Sequence, residues 1–392
     1  MRRILLALAI VLVGSLGVVT ITTADPSGRV AEAAVPPVVE PSATLAYTPG
    51  ADASGVDPRA SATVAVTNGK LDSVTLTGPD GKAVEGEPNR DHTQWGSTKP
   101  LAYGTTYTWG GNATGRDGAP VPVQGSFTTL TPKKTVRGTI NIGDGRSVGI
   151  AAPIRIQFND HVDDRAAVER ALSVKTSVPV EGAWGWLPDE GGGSRVDWRP
   201  RQYWPPNTDV SVSADLFGVP YGDGSYGYSN VSSTFQIGRS QIVKADADSH
   251  RVVVIRDGKQ VANYAASYGL DSDPDRNTRS GVHVVTERFT DKRMVSERYG
   301  YDLVEKWAVR ISNNGEFIHA NPASAGAQGS TNVSHGCINL SINDAQTYYN
   351  TVLYGDPVEV TGTGVQLSPR DGDIWDWTLS WDDWKGLSAL HG

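Results

Sequence analysis

Glycine and proline decide the scale of structure this chain can build. Forty-four Gly and 23 Pro are spread along 392 residues, so no stretch has room for a long helix, and short strands joined by many turns are the expected material. The runs between these breaks agree. "SATVAVTN" (61–68), "LDSVTLTG" (71–78), "TTYTWGG" (105–111) and "VQGSFTTL" (123–130) are rich in β-branched and aromatic residues and are bounded by Gly, Pro, Asn and Asp. The expected fold class is mainly β.

The first four runs read as a small β-sandwich of Ig-like type, residues 44–131. A second unit, 132–238, has strands at "TVRGTINIG", "PIRIQFN", "RVDWRP" and "DVSVSADLF" and a helix pattern at 165–173. Both units end in a strand, a Gly/Asp loop and a closing strand with Phe, consistent with a tandem repeat of one module. From 239 to 362 two hairpin signals stand out, around Asp257-Gly258 and around Asn314-Gly315. Ser341 and Asp344 then form a helix-start pattern with Ala345, Tyr348, Tyr349, Val352 and Leu353 on one face. "PVEVTG" is a last strand. The tail, 363–392, holds four of the 11 tryptophans, Trp375, Trp377, Trp381 and Trp384; they are expected to dock on a neighbouring domain, sugar stacking or a membrane interface being the other uses for such a patch.

Residues 1–24 carry Arg2 and Arg3 followed by 18 uncharged residues, Ile4 to Ile21. That is long enough to span a bilayer with the remainder facing outward; "VAEAA" (30–34) offers a cleavage site, so the segment reads either as a membrane anchor or as a signal peptide. Residues 25–43 form a Pro-containing linker with a reach on the order of 60 Å at ~3.3 Å per residue. The charge balance is acidic, 35 Lys+Arg against 43 Asp+Glu, which leaves no footprint for nucleic acid.

Export sharpens the meaning of the one cysteine. Exported chains that use cysteine for stability use it in pairs, and Cys337 has no second cysteine to bond with. It is either a small buried hydrophobe or a reactive group. Sixteen small and polar residues separate Ala320 from Cys337, and ordered loops of that length are usually functional. A thiol of ordinary acidity is mostly protonated at neutral pH and needs a base to act as a nucleophile. Of seven histidines, His319 ends a strand and is the better-anchored candidate base; His335, two residues from Cys337, is the other candidate, or shapes the loop and faces the substrate. Gly336 permits close backbone approach, so the amides of Gly336 and Cys337 are candidate oxyanion donors.

These residues carry a resemblance. "SHGCIN" (334–339), preceded by "FIHA" with its histidine 18 residues before the cysteine, resembles the signature of the L,D-transpeptidases (YkuD-type catalytic domain), over roughly residues 240 to 362. The resemblance implies cross-linking of peptidoglycan stem peptides in the cell wall, outside the cytoplasmic membrane. Cysteine attacks a tetrapeptide donor, D-alanine leaves, and a second stem's amine resolves the thioester into a 3→3 link. It makes Cys337 the nucleophile and His319 the acid/base. It also implies a substrate-side tyrosine at Tyr301, substrate backbone against Asn314 and Gly315, and a matching asparagine at Asn339. The charged segment 287–306 resembles the family's lid, with Met294 as the lid methionine. Carbapenem-type β-lactams are the implied inhibitors, and no cofactor or metal is implied. Many multidomain relatives have Ser after the base; Ala320 stands here, and its backbone carbonyl is expected to orient the imidazole equally well.

Competing readings remain. A papain-like order would need a histidine after the cysteine, and only His391 follows it. A sortase signature is absent. A zinc site made of His319, His335 and Cys337 would replace the thiol mechanism. Beyond these stand an L,D-carboxypeptidase and a catalytically degenerate wall-binding protein.

Overall fold

Alternation of apolar and polar residues builds most of the sheets. In Asp209–Ala214, Val210, Val212 and Ala214 point inward while the residues between them face out. The computed structural model describes residues 42–369, 371 and 374–390; the expected anchor, nearly all of the linker and His391 lie outside them. No helix among the described residues is long and apolar enough to cross a membrane.

The N-terminal strands form two facing sheets around Val64, Leu76, Trp109 and Phe127. The next strands form another pair, with Phe158, Trp186, Val196 and Trp204 between them. The helix expected over 165–173 stops at Glu169. Leu172–Thr176 becomes a strand instead, with Leu172 opposite Ala214 and Val174 opposite Val212, because sheet pairing outweighs a weak helical preference. A strand at Gly182–Glu190 was not anticipated; its glycines mask the pattern.

The last sheets are labelled here. β1 (Gln241–Asp246), β2 (Arg251–Arg256), β3 (Lys259–Ala265), β4 (Gly281–Val284) and the final strand Pro357–Thr361 make a five-stranded sheet. β2 and β3 are joined through Asp257 and Gly258, both at positive φ, the two-residue hairpin the sequence announces. β5 (Glu287–Ser296), β6 (Tyr301–Arg310), β7 (Phe317–Ala320) and β8 (Ile338–Leu340) make the second sheet, and helix α1 (Ile342–Tyr349) packs on it. The helix starts where expected, with Ser341 Oγ accepting from the Asp344 amide at 3.1 Å. It ends at Tyr349, before Val352 and Leu353 of the expected apolar face. The charged segment 287–306 is the greater part of a regular hairpin, β5 and β6.

The tail packs against strand Gly193–Pro200 and against β4, where Ile374 clusters with Ala151 and Val284. Strand Gly193–Pro200 is buried along its whole length: Val196 and Trp198 face the core, while Arg195, Asp197 and Arg199 face the other way, under the tail. Arg199 lies over the rings of Trp377, Trp381 and Trp384, 4.8, 5.4 and 5.0 Å from their centroids. Trp384 is fully buried and donates to the Ala183 carbonyl at 3.0 Å. Within the unit 239–362, Arg239 pairs with Asp356, which is fully buried, at 2.6 Å. Trp384→Ala is expected to cost roughly 3 to 5 kcal/mol of stability, read in a denaturant melt; a loss below about 1 kcal/mol would show the tail to be peripheral.

Candidate active site

A pairing rule assembles the site. β7 and β8 lie parallel, with His319 opposite Asn339 and Ile318 opposite Ile338. Every second side chain of a strand shares a face, so Cys337, one residue ahead of β8, shares its face with Asn339 and therefore with His319. The opposite face carries Ile318, Ile338 and Leu340, fully buried in a cluster with Ala345 and Tyr348 of α1.

Cys337 is partly exposed, and its Sγ lies 3.6 Å from the Gly315 carbonyl oxygen. His319 is only 3% exposed. Its Nδ1 lies 2.9 Å from the Ala320 carbonyl; a carbonyl can only accept, so Nδ1 carries the proton and Nε2 is left for the thiol. Alanine thus supplies the orienting contact the sequence led us to expect. Burial pulls the imidazole down, yet its hydrogen bonds to Cys337 and Glu305, reinforced by their charges, outweigh it and push the ring up to about 10. The ring therefore stays charged at neutral pH, with Cys337 and Glu305 as its partners.

The turn holding Cys337 is tied down. Ser334 Oγ accepts from the Gly336 amide at 3.2 Å and donates to the Cys337 carbonyl, while Thr278 Oγ1 donates to the Gly336 carbonyl at 2.9 Å. Gly336 has φ +116°, a conformation closed to L side chains. Further back, Ser334 N–H donates to Tyr268 O at 2.9 Å and Asn332 Nδ2 to Ala247 O at 3.2 Å. The long loop is therefore anchored along its return. Since the Gly336 amide is already engaged by Ser334, the Cys337 amide is the better-placed oxyanion candidate of the two.

A cavity of about 340 Å³ opens over the sulfur. Met294, Tyr299, Tyr301, Leu303 and Glu305 of the β5–β6 hairpin and its turn form one wall. His335 stands against Tyr299 and Tyr301, ring centroids 4.6 and 5.5 Å away, and burial followed by the nearby Arg276 charge pulls its pKa down. Asn339 also lines the cavity, 2% exposed, and its Oδ1 finds no hydrogen-bond donor among the described residues. Asn314 and Gly315 stand outside this cavity, on the Gly315 side of the sulfur; the Asn314 amide donates to Asp371 O at 3.1 Å. Among the described residues no group of three or more His, Cys, Asp or Glu side chains is arranged to hold a metal ion.

Sequence reasoning overlooked Glu305 and Tyr299. The signal for Glu305 was present: Tyr301, Leu303 and Glu305 alternate along one strand, and all three line the cavity.

Comparison with known proteins follows the same outline. Residues 53–220 match the family described as Bacterial Ig domain, and residues 240–360 match the L,D-transpeptidase catalytic domain. L,D-transpeptidase 5 of Mycobacterium tuberculosis is 53% identical over 89% of this chain and 78% of its own length. L,D-transpeptidase 2 of the same species is 37% identical over 89% of this chain and 85% of its own length. A solved LD transpeptidase in complex with imipenem, 32% identical, aligns over 59% of this chain and all of its own at a TM-score of 0.49.

Adding a Cβ at Gly336 meets no heavy atom nearer than 3.7 Å, so Gly336→Ala tests the backbone alone. It is expected to cost about 1–3 kcal/mol and to slow iodoacetamide alkylation of Cys337 several-fold. Unchanged melting and alkylation would show that the turn does not depend on this conformation.

Proposed function

From the premise that this chain belongs to the L,D-transpeptidase family, we propose that it forms 3→3 cross-links in peptidoglycan through a thioester on Cys337. The observation that carries this reading is the partly exposed Cys337 sharing a strand face with a buried, charged imidazole at the floor of a cavity.

Sγ of Cys337 attacks the carbonyl of the third residue of a tetrapeptide stem. The carbon–nitrogen bond to the terminal D-alanine breaks, His319 gives its Nε2 proton to the departing amine, and a thioester remains. The side-chain amine of a second stem then attacks the thioester; His319 takes up its proton, the carbon–sulfur bond breaks, and the thiolate returns. A positioned acid/base is typically worth about 10²- to 10⁴-fold, or roughly 3 to 5 kcal/mol, and one oxyanion donor, here the Cys337 amide, roughly 3 to 4 kcal/mol.

Tyr301, Met294 and His335 form the wall against which the donor stem lies, and Asn339 offers an unpartnered acceptor to it. Asn314 and Gly315 guide the substrate backbone past the sulfur. Carbapenem-type β-lactams act as inhibitors, because a thiolate opens a strained acyl ring readily. The units 44–131 and 132–238 act as spacers that hold the catalytic unit, 239–362, away from the membrane. The N-terminal segment exports the chain to the outer face of the membrane, where the wall is built.

Incubation of the full chain with tetrapeptide muropeptides tests the reading. The expected products are 3→3 dimers with one D-alanine released per link, and Cys337→Ala abolishes both, since water offers no substitute route for transfer to an amine. D-alanine release without dimers would replace transfer with carboxypeptidase action, and intact muropeptides would leave wall binding alone.

A further inference from the structure

The strand facing the base contains an irregularity at the point where it passes His319. Between the pairs Lys306–Ala320 and Val309–Ile318, β6 supplies two residues, Trp307 and Ala308, where β7 supplies one, His319. Trp307 takes φ +56° to make this bulge, an uncommon conformation for a bulky residue. The bulge shifts the register between Val309–Ile318 and Lys306–Ala320, and Glu305, next to Lys306, reaches its long side chain diagonally across to the imidazole. Its Oε2 lies 3.6 Å from Nδ1 of His319, and the side chain is only 13% exposed.

Neither nearby lysine neutralises this carboxylate. Lys292, opposite Glu305 on β5, places its ammonium 4.4 Å from the centre of the Phe289 ring, and Lys306 pairs with Asp291 at 2.8 Å. The other charged groups around the base are accounted for in the same way. Cys337 approaches from the turn before β8; Arg276 donates to the Val333 and Ser334 carbonyls; His335 stands against the tyrosines. On α1, across the strand, Asp344 is bound by Ser341 at 2.8 Å. Among the described residues, that leaves Glu305 and Cys337 as the groups acting on the ring.

We propose that Glu305 is a third member of the catalytic group, a positioning residue whose carboxylate, with the Ala320 carbonyl, keeps Nδ1 of His319 protonated and the ring charged. The proposal rests on the reading of Cys337 and His319 given above. A buried imidazole between a thiol and a neutral carbonyl would lose its proton readily; the carboxylate opposes that loss, as the raised His319 value reflects. The base then remains a proton donor for the departing amine across a wider pH range.

The sign follows directly. Glu305 raises the pH at which His319 loses its proton, so removing the charge lowers it, and the alkaline limb of the acylation profile moves down with it. In the full chain, ¹⁵N-imidazole NMR titration reads the ring itself, with the His319 signal identified by its loss in His319→Gln. Glu305→Gln, nearly isosteric, is expected to lower the His319 midpoint by about one pH unit or more and the alkaline limb of D-alanine release by the same amount, with Glu305→Asp restoring at least half of each. A midpoint within about 0.3 unit of the parent, or a shifted midpoint with an unmoved limb, overturns the proposal. Failure of the parent chain to release D-alanine would sink the function instead, while the NMR midpoint still judges Glu305.

Discussion

Four residues of strand facing three others set the chemistry of this protein. The parallel ladder between β7 and β8 puts His319 opposite Asn339 and brings Cys337 to the same face two positions earlier. A parallel pair cannot be closed by a tight turn, so the chain must travel out and back between His319 and Cys337. The 16-residue loop is that crossover. Its length is a topological requirement, and its hydrogen bonds to Tyr268 and Ala247 convert a long excursion into a fixed mount for the sulfur. The hydrophobic face of the same ladder, Ile318 and Ile338 against α1, keeps the polar face aimed into the cavity.

The rest of the molecule steadies this arrangement at longer range. The turn before the final strand is held by Arg239 through Asp356, and its backbone bonds to the preceding unit, Gly149 N–H to Tyr354 O at 2.7 Å and Ala151 N–H to Gly355 O at 2.8 Å. The tail covers the charged outer face of Gly193–Pro200, with Arg199 held against three indoles. A guanidinium removed from water in this way is tolerated because aromatic faces and the Leu379 carbonyl, at 3.0 Å, replace its hydration. The tryptophan cluster thus has a structural use that needs no ligand.

Much of the site could be read from the chain because its chemistry is local. Cys337, His335 and Gly336 are adjacent, and His319 ends a strand marked by a hairpin turn, so spacing alone brings attention to them. The mainly β architecture was legible for the same reason, alternation being a local property. What escaped was set by pairing. The helix expected to Ser173 gave way to a strand because Leu172 and Val174 found partners in Ala214 and Val212, and the charged run 287–306 hid a hairpin whose polar exterior looks like a loop. Glu305 escaped because its role depends on which residue lies across the sheet and on a bulge that no propensity announces.

The account stands or falls on a reachable, activated sulfur, and intact-protein mass spectrometry after exposure to a carbapenem addresses it most directly. Ring opening by a thiolate expels nothing, so one whole inhibitor mass should be added per chain, absent in Cys337→Ala and formed about 10²- to 10⁴-fold more slowly in His319→Gln. A parent mass that stays unchanged, or an adduct that persists without Cys337, would contradict it.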